Sequence, residues 1–186
     1  MPGPSQLTSG TIKWALLKND HPVRLVQDMK IGFNCSSFDL LHAGHVTMLK
    51  MEKQLCDYLI VALQTDPTID RPGIKNKPVQ STYERYVQLQ ACRYVDEILV
   101  YDTEFDLMQL LQTQIIHIRF LSEEYIDRDF TGKQWCIDNR IELHYHKRSH
   151  VYSSSELRAR TANLEDTKDN VNALPQHSPD LLTKIR

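Results

Sequence analysis

The stretch KIGFNCSSFDLLHAGHVTMLKMEKQL, residues 30–55, decides the fold. Its first part, Lys30–Ser37, is an apolar run with Gly32 inside it and two hydroxyl residues at its end. That composition predicts a strand leading into a loop. From His42 the pattern changes to helical spacing, and the helix is expected to run through HVTMLKMEKQL. His42 and His45 are three residues apart and share one helix face. Gly44 between them removes a side chain where a ligand could approach. Both imidazoles then lie at a first helical turn, where backbone N–H groups and the helix dipole favour an anion. A strand feeding such a helix is a phosphate site with two proton-capable donors.

The same alternation continues outward. Tyr58–Leu63, YLIVAL, is continuously apolar and predicts a buried strand. A loop rich in Pro and Gly spans Asp66–Gln80. Ser81 with Glu84 forms a capping box that opens a helix through YERYVQLQACRYV. EILVY, Phe105–Gln112, IIHIRFLS, Gly132–Asn139 and RIELHYHK follow as strand, helix, strand, helix and strand. Ser153 caps a last short helix, SSSELRAR. Strands alternating with helices predict an α/β fold: a single-domain, Rossmann-like, doubly wound parallel sheet of about five strands. Ligands of such sheets lie beyond the C-terminal strand ends, so the loop after each strand is where chemistry is expected.

Length and composition agree. The 186 residues are 41% hydrophobic and 25% charged, which suits one globular domain. Residues 1–29 form a leader, with a short helix expected at Thr11–Lys18. Residues 30–160 form the domain, and 161–186 a polar tail. The net charge of −2 lacks the basic surplus of a general nucleic-acid binder, so no nucleic-acid partner is expected. No apolar run is long enough to span a bilayer, and the N-terminus does not have the form of a secretory signal. Cys35, Cys56, Cys92 and Cys136 are widely spaced, without a CxxC pair, which predicts reduced thiols, a cytoplasmic location and no protein-held metal.

Two more constellations stand out. In Tyr152-Ser153-Ser154-Ser155-Glu156-Leu157-Arg158, consecutive hydroxyls, helix-start amides and an Arg one turn in would make a second anion cradle. Arg148, just upstream, could add positive charge. Arg71, Lys75 and Lys77 in the Pro/Gly-rich loop form a basic set with Arg85 on the capped helix. A cation in a first turn opposes the helix dipole, so Arg85 suggests a partner anion.

Together these residues resemble the nucleotidyltransferase superfamily with the HxGH signature. FDLLHAGH looks like its first motif and SSSELR like its second. They look like the glycerol-3-phosphate cytidylyltransferase group in particular, through FDLLHxGH, the E-R helix and the phrase RYVDEI at Arg93–Ile98. The resemblance covers about Ile31 to Arg160.

It implies nucleotidyl transfer: an acceptor phosphate attacks the α-phosphorus of CTP in line, and pyrophosphate leaves. His42, His45 and Arg158 would be catalytic. Ser153, Ser154 and Ser155 would hold the β- and γ-phosphates. Arg148, Arg85 and Lys75 or Lys77 would contact the nucleotide, with Ser36, Ser37, Phe38, Asp39 and Gly44 lining its site. Ser122, Glu123, Glu124 and Tyr125 would form the base or acceptor pocket. Mg²⁺ would arrive bound through the triphosphate, with few protein ligands. Partners would be CTP, or ATP, and a phosphorylated small acceptor such as glycerol 3-phosphate, with a homodimer by analogy.

The chain departs from the family's pattern in three places. Ser36 replaces the Gly of YGTFD, Ser122-Glu123-Glu124-Tyr125 replaces a GDDW-like string, and Val151 replaces a Gly before the serines. Two other readings are an adenylyltransferase using ATP on a sugar phosphate, since FD-LHAGH also occurs there, and a non-catalytic nucleotide-binding protein that keeps the fold. Every version requires SSSELR and the two histidines to meet at one end of the sheet.

Overall fold

The computed structural model describes residues 29–147 and 152–166. The Thr11–Lys18 segment and Arg148 lie outside them. Five strands, β1 (Ile31–Ser36), β2 (Tyr58–Gln64), β3 (Glu97–Tyr101), β4 (Ile118–Ser122) and β5 (Glu142–His146), form one sheet in the order β3-β2-β1-β4-β5. Every pairing is parallel. The helices are α1 (Ala43–Lys53), α2 (Thr82–Gln90), α3 (Glu104–Thr113), α4 (Lys133–Asp138) and α5 (Ser154–Asp166). Among the described residues a 3-10 turn covers Glu123–Tyr125.

The chain builds outward from β1 in both directions, first to β2 and β3, then back across to β4 and β5. Right-handed crossovers in opposite directions place helices on opposite faces. The two core clusters follow this division. On one face Leu49 of α1 and Leu89 of α2 are fully buried against Leu59, Val61 and Leu63 of β2. On the other, Leu107 and Leu111 of α3 are buried against Phe33, Ile60 and Ala62. β2 is buried on both sides, which is why its sequence is apolar without alternation. The direction of winding reverses between β1 and β4, and their C-terminal ends flank the crevice where such sheets take ligands.

Local chemistry sets the element ends. Ser81 accepts from the Glu84 amide while the Glu84 carboxylate accepts from the Ser81 amide, as the capping-box reading expects. Thr103 and Asp106 build a second such box at α3. Gly132 caps α4 with φ +78, a left-handed conformation that favours glycine, and a Cβ there would come within 2.3 Å of Leu111. Three boundaries differ from the sequence expectation by three residues or more; α2 ends at Gln90, short of the expected Val95. β4 starts at Ile118 rather than Ile115, because the His117 ring Nδ1 accepts from the Ile31 amide at 3.0 Å and takes the place of a ladder bond. The last helix is longer than SSSELRAR and runs to Asp166, past the expected domain end at residue 160.

Candidate active site

The loop from Ser37 to His42 is held in an unusual backbone shape. Phe38 and Leu40 both have positive φ, 48° and 52°, a region that costs a non-glycine residue free energy. Asp39 between them is buried, and its carboxylate explains why the shape persists. It accepts from the amides of Val79 and Gln80, both at 3.0 Å, and from the guanidinium of Arg158. Burial alone would raise its pKa, but the two amides and Arg158 more than offset that and hold it below the usual 3.8. The Ser154 hydroxyl donates to the Asp39 carbonyl at 2.8 Å. Asp39 therefore ties the start of α5 to the loop that feeds α1.

This tie brings two helix N-termini together. His42 is the N-cap of α1, and its Nδ1 accepts from the Gly44 amide at 3.0 Å. That bond places the ring proton on Nε2, leaving a donor on the far edge of the ring. The His42 and His45 rings stack with centroids 4.0 Å apart and a 23° tilt. The buried Phe38 ring supports His45 from behind at 5.4 Å. Ser153 caps α5 through its hydroxyl, which accepts from the Glu156 amide at 3.1 Å.

One cleft of about 770 Å³ is lined by both groups. At one end lie His42, Gly44 and His45, with Ser36, Ser37 and the three serines Ser153–Ser155. Lys75, Ser122, Glu124 and Tyr125 also reach it.

The remaining expected site residues face elsewhere. Phe38 and Asp39 lie beneath the cleft as supports. Arg158 is turned to Asp39 and to the Lys77 carbonyl at 3.3 Å, and does not line the cleft. Lys77 is exposed, 4.0 Å from Asp66. Glu123 is exposed and outside the lining. Arg85 is the clearest correction. It is 1% exposed, and its guanidinium is spent on protein oxygens. It donates to the carbonyls of Gln80 and Ser81, of Ser37 and Gln64 (2.7 Å each), and of Thr65, and to the Thr82 hydroxyl. It fastens α2 to the ends of β1 and β2 instead of offering donors to a phosphate. The opposition to the helix dipole is relieved by these carbonyls, with no external anion.

The cleft also holds residues that motif reading passed over, Asn34, Gln64, Tyr101, Arg119 and His146, and it takes in Arg71 of the basic loop set. The lone arginine in the apolar string IRFLS was the available signal for Arg119. Arg71 pairs with Glu104 at 2.8 Å.

Comparisons with known proteins identify the family. Residues 33–160 match the family model described as cytidylyltransferase-like. The chain belongs to that family. Among curated members of the wider group, an ethanolamine-phosphate cytidylyltransferase of Arabidopsis thaliana is 37% identical over 73 residues, covering 39% of this chain and 17% of the relative. The bifunctional protein HldE of Campylobacter jejuni (strain RM1221) is 32% identical over 118 residues, covering 62% of this chain and 24% of the relative. The chain thus spans less than a quarter of either protein. A lipopolysaccharide core biosynthesis protein from Thermoplasma volcanium has a similar structure, with a TM-score of 0.52 at 24% identity, covering 67% of this chain and 99% of that one. That likeness shows the fold. Among the described residues no helix is long and apolar enough to cross a membrane.

If Asp39 is the tie between α5 and the α1 loop, Asp39→Asn should cost about 2 kcal/mol in urea unfolding, the scale of bonds to a charged group. The loss should appear above pH 4 and vanish as the wild-type carboxylate is protonated below it, since its folded pKa is the depressed one. Equal stability at pH 7 would remove the tie.

Proposed function

We propose that the protein is a cytidylyltransferase that moves CMP from CTP to the phosphate of a small acceptor, releasing pyrophosphate. One observation carries this: two stacked imidazoles at one helix N-terminus and a run of serines at another line the same cleft. The arrangement suits a triphosphate. The first-turn amides of α5 and the serine hydroxyls suit the β- and γ-phosphates. The donor edge of His42, and His45 beside it, suit oxygens on the α-phosphorus. An acceptor phosphate oxygen forms the new P–O bond as the bond to the bridging oxygen breaks, and the pair leaves with pyrophosphate. The protein's part is to align the two phosphates and to stabilise the charge that builds in the transition state.

Mg²⁺ would ride on the triphosphate, because the motif carboxylate Asp39 is committed to Val79, Gln80 and Arg158. When bound it would neutralise phosphate charge. Glycerol 3-phosphate is the acceptor the motif resemblance suggests. Transfer from ATP to a sugar phosphate is the second reading, since FD-LHAGH resembles the motif of adenylyltransferases of that type as well.

A pyrophosphate-release assay with each nucleoside triphosphate against a panel of phosphorylated acceptors separates the two. CTP-dependent release with one acceptor class is expected. Release with ATP alone would replace the reading, and no release with any pair would overturn it.

A further inference from the structure

Away from the histidines, the cleft floor holds a cation that the scheme above does not use. Arg119 on β4 is 2% exposed and lines the cleft. Its Nη1 donates to the Thr131 carbonyl at 2.6 Å. Among the described residues, the only other hydrogen-bond partners of Nη1 and Nη2 are the thiols of Cys136 and Cys35, each at 3.8 Å. The Phe130 ring lies 5.0 Å from its guanidinium carbon. Its Nε is buried without a hydrogen-bond partner among the described residues. Among the described residues no carboxylate reaches it at ion-pair distance. Gly132 makes room for it, since a Cβ there would sit 3.1 Å from Nη1.

A buried guanidinium always carries its charge, and burying that charge unpaired is costly. Such a group is retained where an anion arrives to meet it. Its neighbours do not supply one. Glu104 is already paired with Arg71, and Lys75 adds a further positive charge to the cleft. Glu124 and Asp129 also line it, but both are exposed, where water screens them.

We propose that Arg119 determines acceptor specificity: it receives an anionic substituent on the acceptor, a carboxylate or a second phosphate, and disfavours acceptors that end in an ammonium. The proposal rests on the nucleotidyl-transfer reading and departs from glycerol 3-phosphate, whose far end is uncharged; its chemistry is that of a planar fork meeting oxygens.

The test titrates 2-phosphoglycolate, phosphoethanolamine and the bisphosphate of propane-1,3-diol calorimetrically into the wild type and into Arg119→Met and Arg119→Lys. The wild type should bind phosphoglycolate or the bisphosphate about tenfold or more tighter than phosphoethanolamine, and whichever of the two is tighter names the anion. Arg119→Met should erase that preference and Arg119→Lys keep part of it, with CTP affinity unchanged within about twofold. Equal or tighter binding of phosphoethanolamine to the wild type overturns the proposal, and this arm needs no variant to fold. A preference that survives Arg119→Met, or a loss that falls on CTP, overturns it as well. Failure of every nucleotide and acceptor pair to release pyrophosphate would count against the transferase reading alone, since the anion preference is read from binding.

Discussion

Replacing His45 with alanine is expected to lower pyrophosphate release by about 10²-fold or more, the scale of losing one donor to a developing negative charge. The expectation comes from placement. His45 sits in the first turn of α1, stacked on His42 and backed by the buried Phe38 ring. A ring held between two others loses little freedom when it meets its substrate, so its donor is preorganised. Removing it should spare ground-state binding, because the α5 serines and the helix amides still hold the outer phosphates. The loss should therefore fall on kcat rather than on KM for the nucleotide. His45→Gln, which keeps an N–H donor, should recover part of the rate. An effect under about threefold would remove His45 from the chemistry. A pure KM effect would make it a binding group.

That role was legible in the sequence because it depends on local rules. A strand, a short loop and two histidines at helical spacing fix which residues meet at α1. The capping box at Ser81 and Glu84 is legible for the same reason, its partners being three residues apart. What escaped the sequence is the direction of side chains whose partners lie far along the chain. Arg85 looked like a phosphate ligand, yet the carbonyls of Ser37 and Gln64 claim it. Arg158 fits the family's second motif, yet here it turns to Asp39, 119 residues away. The positive φ of Phe38 and Leu40 has no signature in two bulky residues; it follows from the bonds that fix Asp39 between them. Arg119 stood out as a lone arginine in the apolar string IRFLS, but a strand buried on both faces gives no alternation to say which side it faces or what it meets.

Glu52 is another such residue, and it carries the second large effect. In the sequence it sits in KMEKQL, where a glutamate ordinarily faces solvent on a helix. In the fold it is 1% exposed beneath the cleft, with Asn34 donating to its Oε1 at 2.5 Å and His146 Nδ1 at 3.7 Å. Burial pushes its carboxyl up to about 8 from an ordinary 4.5, against the smaller opposing pull of Asn34. Near neutral pH it is therefore mostly protonated, and the floor below Asn34 and His146, both of which line the cleft, stays nearly uncharged.

The linkage sign follows. Between pH 4.5 and 8 the folded state holds a proton that the unfolded chain has released, so stability falls as pH rises through that window. The full difference is roughly 5 kcal/mol, reached once pH passes the folded value. Glu52→Gln keeps an oxygen for Asn34 and cannot ionise. It should match the wild type near pH 4.5, exceed it by several kcal/mol near pH 9, and flatten this part of the profile in urea unfolding. Nucleotide affinity should respond in the same range, because a carboxylate formed beneath the cleft, against the lining residues Asn34 and His146, repels an anionic nucleotide, and the variant should lose that decline above pH 8. Parallel stability profiles for the two proteins would show that Glu52 ionises as freely in the fold as in water, and the uncharged floor would go with it.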